Sequence, residues 1–344
     1  MISVILPIYN IETGYLETCL GSLRNQSYSK FEVLMVDDGS NAYVHDVCEK
    51  FADQDARFFY IRQDNAGVCV ARNNGMDRAK GEYICFIDPD DWIDENYLDV
   101  LYNSITENDA DIALVDSLVH YAKRAVENHF LDTGKTALSG ESKNKLLYQL
   151  FSRTICDYYP PEIPAGTVWA KIFRTDFLSA RDLRFLPGLK RMEDILFCMY
   201  AYEEAEKIAY LPDCLYHYRV SGDSVSHRYD PEVIEQFERF FGEAQRFLDR
   251  YHKEPLLQEA LAMRELTAVH SYMRFYYFSS PTLSRQEANR EIDRLLEREP
   301  YATALQRIDK TLLSKSELIF VTALKNRQYS LLRALVKGRE RLKK

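Results

Sequence analysis

The chain has 344 residues, 46% hydrophobic and 28% charged, a balance that fits a soluble globular protein of two domains or one domain with a large appendage. No apolar run approaches the roughly 18 residues that span a bilayer, and a strand pattern begins at Ile2 without a basic leader, so neither a membrane span nor a secretory signal is expected. Net charge is −9, but Lys325 to Lys344 set eight basic residues against Glu340 alone; that end carries +7 and the rest −16, which excludes a nucleic-acid backbone as partner of the body.

Taken in chain order, Ile2 to Leu6 reads as a continuous apolar strand, and Tyr15, Leu16, Cys19, Leu20 and Leu23 then recur at helical spacing. Glu32 to Val36 predicts the second strand and Val44 to Phe51 a helix. Phe58 to Ile61 is the third strand, followed by a helix over Val68 to Ala79. Tyr83 to Ile87 is the fourth, followed by a helix through Tyr97, Leu98, Leu101 and Ile105, and Ile112 to Val115 is a fifth. Continuous apolar strands alternating with helices predict an α/β fold, a mostly parallel sheet covered on both faces. Asp116 to Gly140 reads as a hairpin or loop insertion, and a helix is expected to start near Glu193. Short strands follow at Ile208 to Leu211 and Leu215 to Arg219, and nearly everything beyond Glu232 is helical. The expected domains are 1–228, with halves 1–115 and 116–228, and a helical 229–344.

Ligands of open α/β sheets bind beyond the carboxyl ends of the strands. Those ends carry Pro7-Ile8-Tyr9-Asn10, Asp37-Asp38-Gly39-Ser40, Arg62-Gln63-Asp64-Asn65 and Asp88-Pro89-Asp90-Asp91. Three carboxylates at Asp88, Asp90 and Asp91 repel one another unless a cation lies among them. They point to a hard metal, Mg²⁺ or Mn²⁺, sharing its shell with phosphate. Capping the helix near Asn96 is the plain alternative, but it needs one acid, not three. Glycine-rich dinucleotide and P-loop motifs are missing from the sequence. The Asp37/Asp38 pair can accept the imide N–H of uracil or, with Ser40, cap the next helix; one acid on the base and the other capping is the expectation.

Val4-Ile5-Leu6-Pro7-Ile8-Tyr9-Asn10, Val36-Asp37-Asp38-Gly39-Ser40, Asn65-Ala66-Gly67 leading into Ala71-Arg72-Asn73, and Asp88-Pro89-Asp90-Asp91-Trp92 occur in the order and spacing of a known family. Over residues 1–225 the chain resembles the bacterial family 2 glycosyltransferases of GT-A (Rossmann-like) fold. The resemblance implies that Pro7 and Tyr9, with Asn10, flank the base and that Asp37 or Asp38 reads uracil. It puts Asn65 and Arg72 at the nucleotide or its diphosphate, Asp88 near the ribose and Asp90 on the metal, Mn²⁺ or Mg²⁺. A structural salt bridge is the alternative for Arg72. In Arg191-Met192-Glu193-Asp194, Asp194 matches the general base beside Glu193, and a helix-dipole role is the alternative. The resemblance makes His217 a candidate metal ligand, with His227 behind it, and Arg219 and Ser224 diphosphate contacts. Trp169 and Lys171 match an acceptor-side element, against plain packing of the tryptophan.

The implied function is inverting transfer of a sugar from a nucleotide donor, UDP-linked by expectation, to a hydroxyl of a glycan or lipid-linked glycan in surface polysaccharide synthesis. The rivals are a nucleotidyltransferase, which needs a glycine-rich basic loop after the first strand, and a non-catalytic scaffold of the same fold. Seven scattered cysteines read as reduced core residues of a cytosolic protein, and a homo-oligomer is left open. Leu318, Ile319, Phe320, Val321, Leu324, Leu331, Leu332, Leu335 and Val336 interleave with basic residues. This pattern predicts an amphipathic end on an anionic membrane surface, with a helix packed on its own body or a dimer contact as alternatives.

Overall fold

The computed structural model describes residues 1–220 and 229–342. They divide into two compact units, 1–150 with 157–222, and 151–156 with 223–344. The first unit opens with β1 (Ile2–Ile8), α1 (Thr13–Arg24), β2 (Phe31–Asp37), α2 (Ala42–Gln54), β3 (Phe58–Arg62), α3 (Val68–Arg78) and β4 (Tyr83–Phe86). The four strands are parallel, in the order β3-β2-β1-β4. Every residue of β1 and β2 is buried, which is why these strands are near-continuous apolar runs rather than alternating ones. Gly75 lets α3 close on β1, since a Cβ there would lie 2.5 Å from Ile5 Cγ2.

The chain continues through β5 (Trp92–Ile93), α4 (Tyr97–Glu107), β6 (Ile112–Tyr121), β7 (Arg124–Asn128), β8 (Thr136–Ser139), α5 (Asn144–Gln149), β9 (Lys171–Arg174), α6 (Thr175–Ala180), α7 (Glu193–Glu204) and β10 (Lys207–Arg219). β9 runs antiparallel between β4 and β6, while β10 lies parallel to β6 and antiparallel to β5 and β8. The stretch read as a hairpin or loop holds the β6–β7 hairpin and β8. β10 is one strand where the pattern predicts two. Pro212 has no N–H to give the ladder, and register shifts between Leu211, Cys214 and Tyr216 absorb it as a bulge.

The second unit contains α8 (Val233–Arg250), α9 (Pro255–Tyr272), α10 (Arg285–Glu297), α11 (Tyr301–Arg307), α12 (Lys315–Lys325) and α13 (Tyr329–Leu342). Ser284 with Glu287 and Ser314 with Glu317 close capping boxes on α10 and α12, satisfying N–H groups that a helix start leaves unpaired. Met263, Leu266, Ala304, Leu313 and Val321 form an apolar cluster. The apolar residues of the C-terminal end are divided between interior and surface. Phe320, Leu324, Leu332 and Val336 are buried within the unit, and Arg333 lies over Phe278 and donates to Asn289. Ile319 and Leu331 remain exposed. No helix of the described residues is long and apolar enough to cross a membrane.

Candidate active site

The carboxyl edge of β1 to β3 is a lattice of polar groups. Asp37 ends β2, and its Oδ1 accepts the Ser40 N–H at 2.8 Å. Its Oδ2 accepts the Tyr60 hydroxyl at 2.6 Å and Arg62 at 3.0 Å. Asp38 turns to the start of α3. Its Oδ1 takes the Ala66 N–H at 2.8 Å and Gln63 at 2.7 Å, and its Oδ2 takes the Gly67 N–H at 2.8 Å. Gly67 has φ +91°, a left-handed value that points its N–H at the acid without strain. Asn65 donates to the Asp38 carbonyl, and Asn10 ties this edge to Ser40 and Asn41. Neither Asp38 nor Ser40 caps α2 as expected. Asn41 does, accepting the N–H groups of Tyr43 and Val44, because both acids are already committed to neighbouring loops. A carboxylate oxygen has two lone pairs, and Asp38 Oδ2 accepts the Gly67 N–H with one of them. Pro7 is buried in β1, and Tyr9 stands 55% exposed beside it.

At the end of β4 the three acids part company. Asp91 is fully buried and accepts the Tyr216 hydroxyl and the Arg219 backbone N–H, both at 2.8 Å. Burial, with the charges of Asp90 and Asp88, pushes its carboxyl well up. Asp90 is pushed up to about 6 by burial and the Asp88 charge, and its own backbone N–H is turned to the carboxylate. Asp88 gives Oδ1 to Arg72 at 3.1 Å. Asp90 and the second oxygen of Asp88, near enough for the Asp88 charge to raise the Asp90 carboxyl, are hard oxygen donors of the kind that suits Mg²⁺ or Mn²⁺. Beside them the Arg219 guanidinium lies over Tyr15 at 4.3 Å and Trp92 at 4.7 Å, with Nε on the Asp90 carbonyl at 2.8 Å.

Arg72, 3% exposed on α3, joins this wall to the first turn of α7. One terminal nitrogen meets Asp194 at 2.5 Å and Glu193 at 3.6 Å, the other meets Asp88, and the guanidinium lies over Phe185 at 5.1 Å. Burial pushes the Asp194 carboxyl up to about 7, against the pull of Arg72 and with the help of Glu193 and Asp88. One guanidinium thus serves three carboxylates.

The remaining candidates among the described residues have partners of their own. His217 has both ring nitrogens engaged, by His120 at 2.9 Å and Asp94 at 3.0 Å, and stacks on Trp92. Trp169 stacks on Tyr216 and Tyr218 inside the sheet. Lys171 is fully buried, donating to the carbonyls of Thr167 and Trp169. Burial lowers its ammonium to about 8. Both are interior groups rather than an acceptor surface. Ser224 and His227 lie outside the described residues. Arg62 stands out in the sequence at a strand's carboxyl end, though not its pairing with Asp37; Tyr216 is missed, since a buried tyrosine far along the chain gives no such signal.

A mostly parallel sheet with these acids at its carboxyl edge, an antiparallel strand inserted beside β4 and a helical region following is a GT-A-like fold. Residues 3–164 match the profile of Glycosyl transferase family 2. EpsH of Bacillus subtilis (strain 168) is 34% identical over 240 residues, which are 68% of this chain and 65% of EpsH. Glycosyltransferase GlyG of Streptococcus pneumoniae serotype 4 is 31% identical over 227 residues, 65% of this chain and 72% of GlyG. Staphylococcus aureus TarS, a poly(ribitol-phosphate) beta-N-acetylglucosaminyltransferase, is 30% identical over 267 residues, 75% of this chain and 43% of TarS. The crystal structure of TarS 1–349 in complex with UDP-GlcNAc has TM-score 0.64 at 21% identity, covering 99% of this chain and 91% of that one. The chain belongs to glycosyl transferase family 2.

Proposed function

We propose that residues 1–228 form an inverting, metal-dependent glycosyltransferase domain that moves a sugar from a UDP-linked donor to a hydroxyl of a surface glycan or lipid-linked glycan. The observation that carries this reading is the Arg72 bridge, with Asp194 on one side and Asp88 on the other. It supports a base and a leaving-group wall held at a fixed separation. Asp194 takes the acceptor proton as the hydroxyl oxygen bonds to the anomeric carbon. The bond from that carbon to the diphosphate oxygen breaks on the opposite face, and UDP leaves with the electron pair. A carboxyl near 7 suits this work, because a base is most effective when its pKa lies close to the working pH.

Asp90 and Asp88 would hold the divalent cation, which when bound neutralises charge on the departing diphosphate. Arg72 already balances three acids, so Arg219, held against the rings of Tyr15 and Trp92, is the better donor toward the diphosphate. Tyr9, exposed beside the Asp38 lattice, would stack on the base. The family match and the UDP-GlcNAc complex of TarS support the donor class. The anionic-surface partner rests on the basic residues of the C-terminal end, with Ile319 and Leu331 the exposed apolar residues beside them. The test is UDP release from a panel of nucleotide sugars, with and without Mn²⁺. Release from UDP-sugars only when Mn²⁺ is present is expected; diphosphate release from a sugar phosphate and nucleoside triphosphate would favour the nucleotidyltransferase.

A further inference from the structure

We propose that Asp116, His129 and Cys214 bind a single Zn²⁺, at a site separate from the acids at the end of β4. Three neighbouring strands bring these side chains together. Asp116 lies on β6, and Cys214 is its register partner on β10, at the bulge around Pro212. His129 is the first residue beyond β7, whose last residue, Asn128, pairs with Ser117. One ligand atom from each of the three lies within 4.8 Å of the others.

A thiolate, an imidazole and a carboxylate are the donor types zinc takes together, whereas Mg²⁺ and Ca²⁺ take oxygen alone. The carboxylate is already oriented. Asp116 Oδ1 accepts the Phe130 N–H at 2.8 Å, and Oδ2 accepts the Tyr210 hydroxyl at 2.8 Å. His129 Nδ1 stands 2.6 Å from Asp116 Oδ2, and its Nε2 stands 3.4 Å from Glu127. That second carboxylate is the kind of outer partner that fixes a ligating imidazole. Tetrahedral zinc sets nitrogen and oxygen ligands roughly 3.3 Å apart, so Nδ1 and Oδ2 need to part by less than about 1 Å. Binding releases the Cys214 thiol proton to solvent, and His129 enters as the tautomer whose Nε2–H faces Glu127. Asp116 is buried while His129 is 37% exposed, leaving a side open for water as the fourth ligand. Hydrogen bonds alone satisfy Asp116 without the sulfur; a metal gives all three residues one purpose, tying β10 to β6 and β7.

The test uses the full chain with Zn²⁺ alone and with Co²⁺ as a spectroscopic stand-in. One Zn²⁺ per chain is expected to survive dialysis, and Co²⁺ is expected to produce a thiolate charge-transfer band. Cys214→Ser abolishes the band, and His129→Gln weakens affinity by at least about 10-fold. A wild-type protein without the band, or a Cys214→Ser protein that keeps it, overturns the proposal. Where a variant does not fold, alkylation of the wild type decides: Zn²⁺ slows modification of Cys214, and an unchanged rate overturns the site.

Discussion

Arg72→Lys keeps the charge at the centre of the site and removes the fork. Two guanidinium nitrogens reach Asp194 at 2.5 Å and Asp88 at 3.1 Å, on different elements. A single ammonium holds one of them. Losing one hydrogen bond to a charged group costs about 1.5–3 kcal/mol. At roughly 2–4 °C per kcal/mol, melting falls by about 3–12 °C. The second readout is proton affinity. Burial raises the Asp194 carboxyl, Arg72 pulls it down, and Glu193 and Asp88 raise it further. With the downward pull weakened, the carboxyl rises above its present value of about 7. Less base is ionised at neutral pH, and the rising limb of kcat/KM moves to higher pH. UDP release followed across pH, beside thermal melts, measures both. A lower melting temperature with an unmoved limb makes Arg72 a structural clasp and takes it out of the reaction. If neither quantity changes, the bridge has no role in holding the base.

Asp194→Asn is expected to bind UDP and Mn²⁺ as the wild type does while turnover falls about 10²- to 10⁴-fold; full turnover would remove the base assignment. Asp90 and Asp194 sit at about 6 and about 7, so the folded chain binds their protons more tightly than the unfolded one. Metal-free stability therefore declines as pH rises from about 4 through these values, and Asp90→Asn should flatten the decline in a melt series; the same slope in both proteins rejects Asp90 as a source. Tyr216→Phe removes the hydroxyl that donates to Asp91 and accepts the Asp88 N–H, costing about 1–3 kcal/mol and weakening Mn²⁺ binding; titration with Mn²⁺ checks it. With Phe320, Leu324, Leu332 and Val336 of α12 and α13 buried, binding to anionic vesicles should vanish as salt shortens screening to about 3 Å near 1 M; salt-resistant co-sedimentation would point to an inserted apolar face.

The first four strands and the acids at their ends were readable because the information is local. A buried strand writes itself as an apolar run, and the polar residues that follow it fall on the same edge in every parallel unit. Arg72 carried a weaker local signal, at the fifth residue of a helix opening on Gly67. The short β9, four residues long, has no periodicity to detect, and its insertion beside β4 is set by long-range pairing. Asn41 outcompeted Asp38 as a cap for a related reason: Asp38 faces Ala66 and Gly67, residues that only the fold brings near.

β10 shows where such reading stops. In a strand, side-chain direction is a matter of phase, and one residue of slip exchanges the two faces. The bulge around Pro212 resets that phase between Leu211 and Tyr216, so no count along the sequence predicts which residue turns to the acids. The outcome is that Tyr216 meets Asp91, while His217 pairs with Trp92 across β5 and joins His120 and Asp94. The same bulge sets Cys214 opposite Asp116. A single interruption in one ladder thus supplies the hydroxyl that steadies Asp91 and brings the proposed zinc ligands together on neighbouring strands.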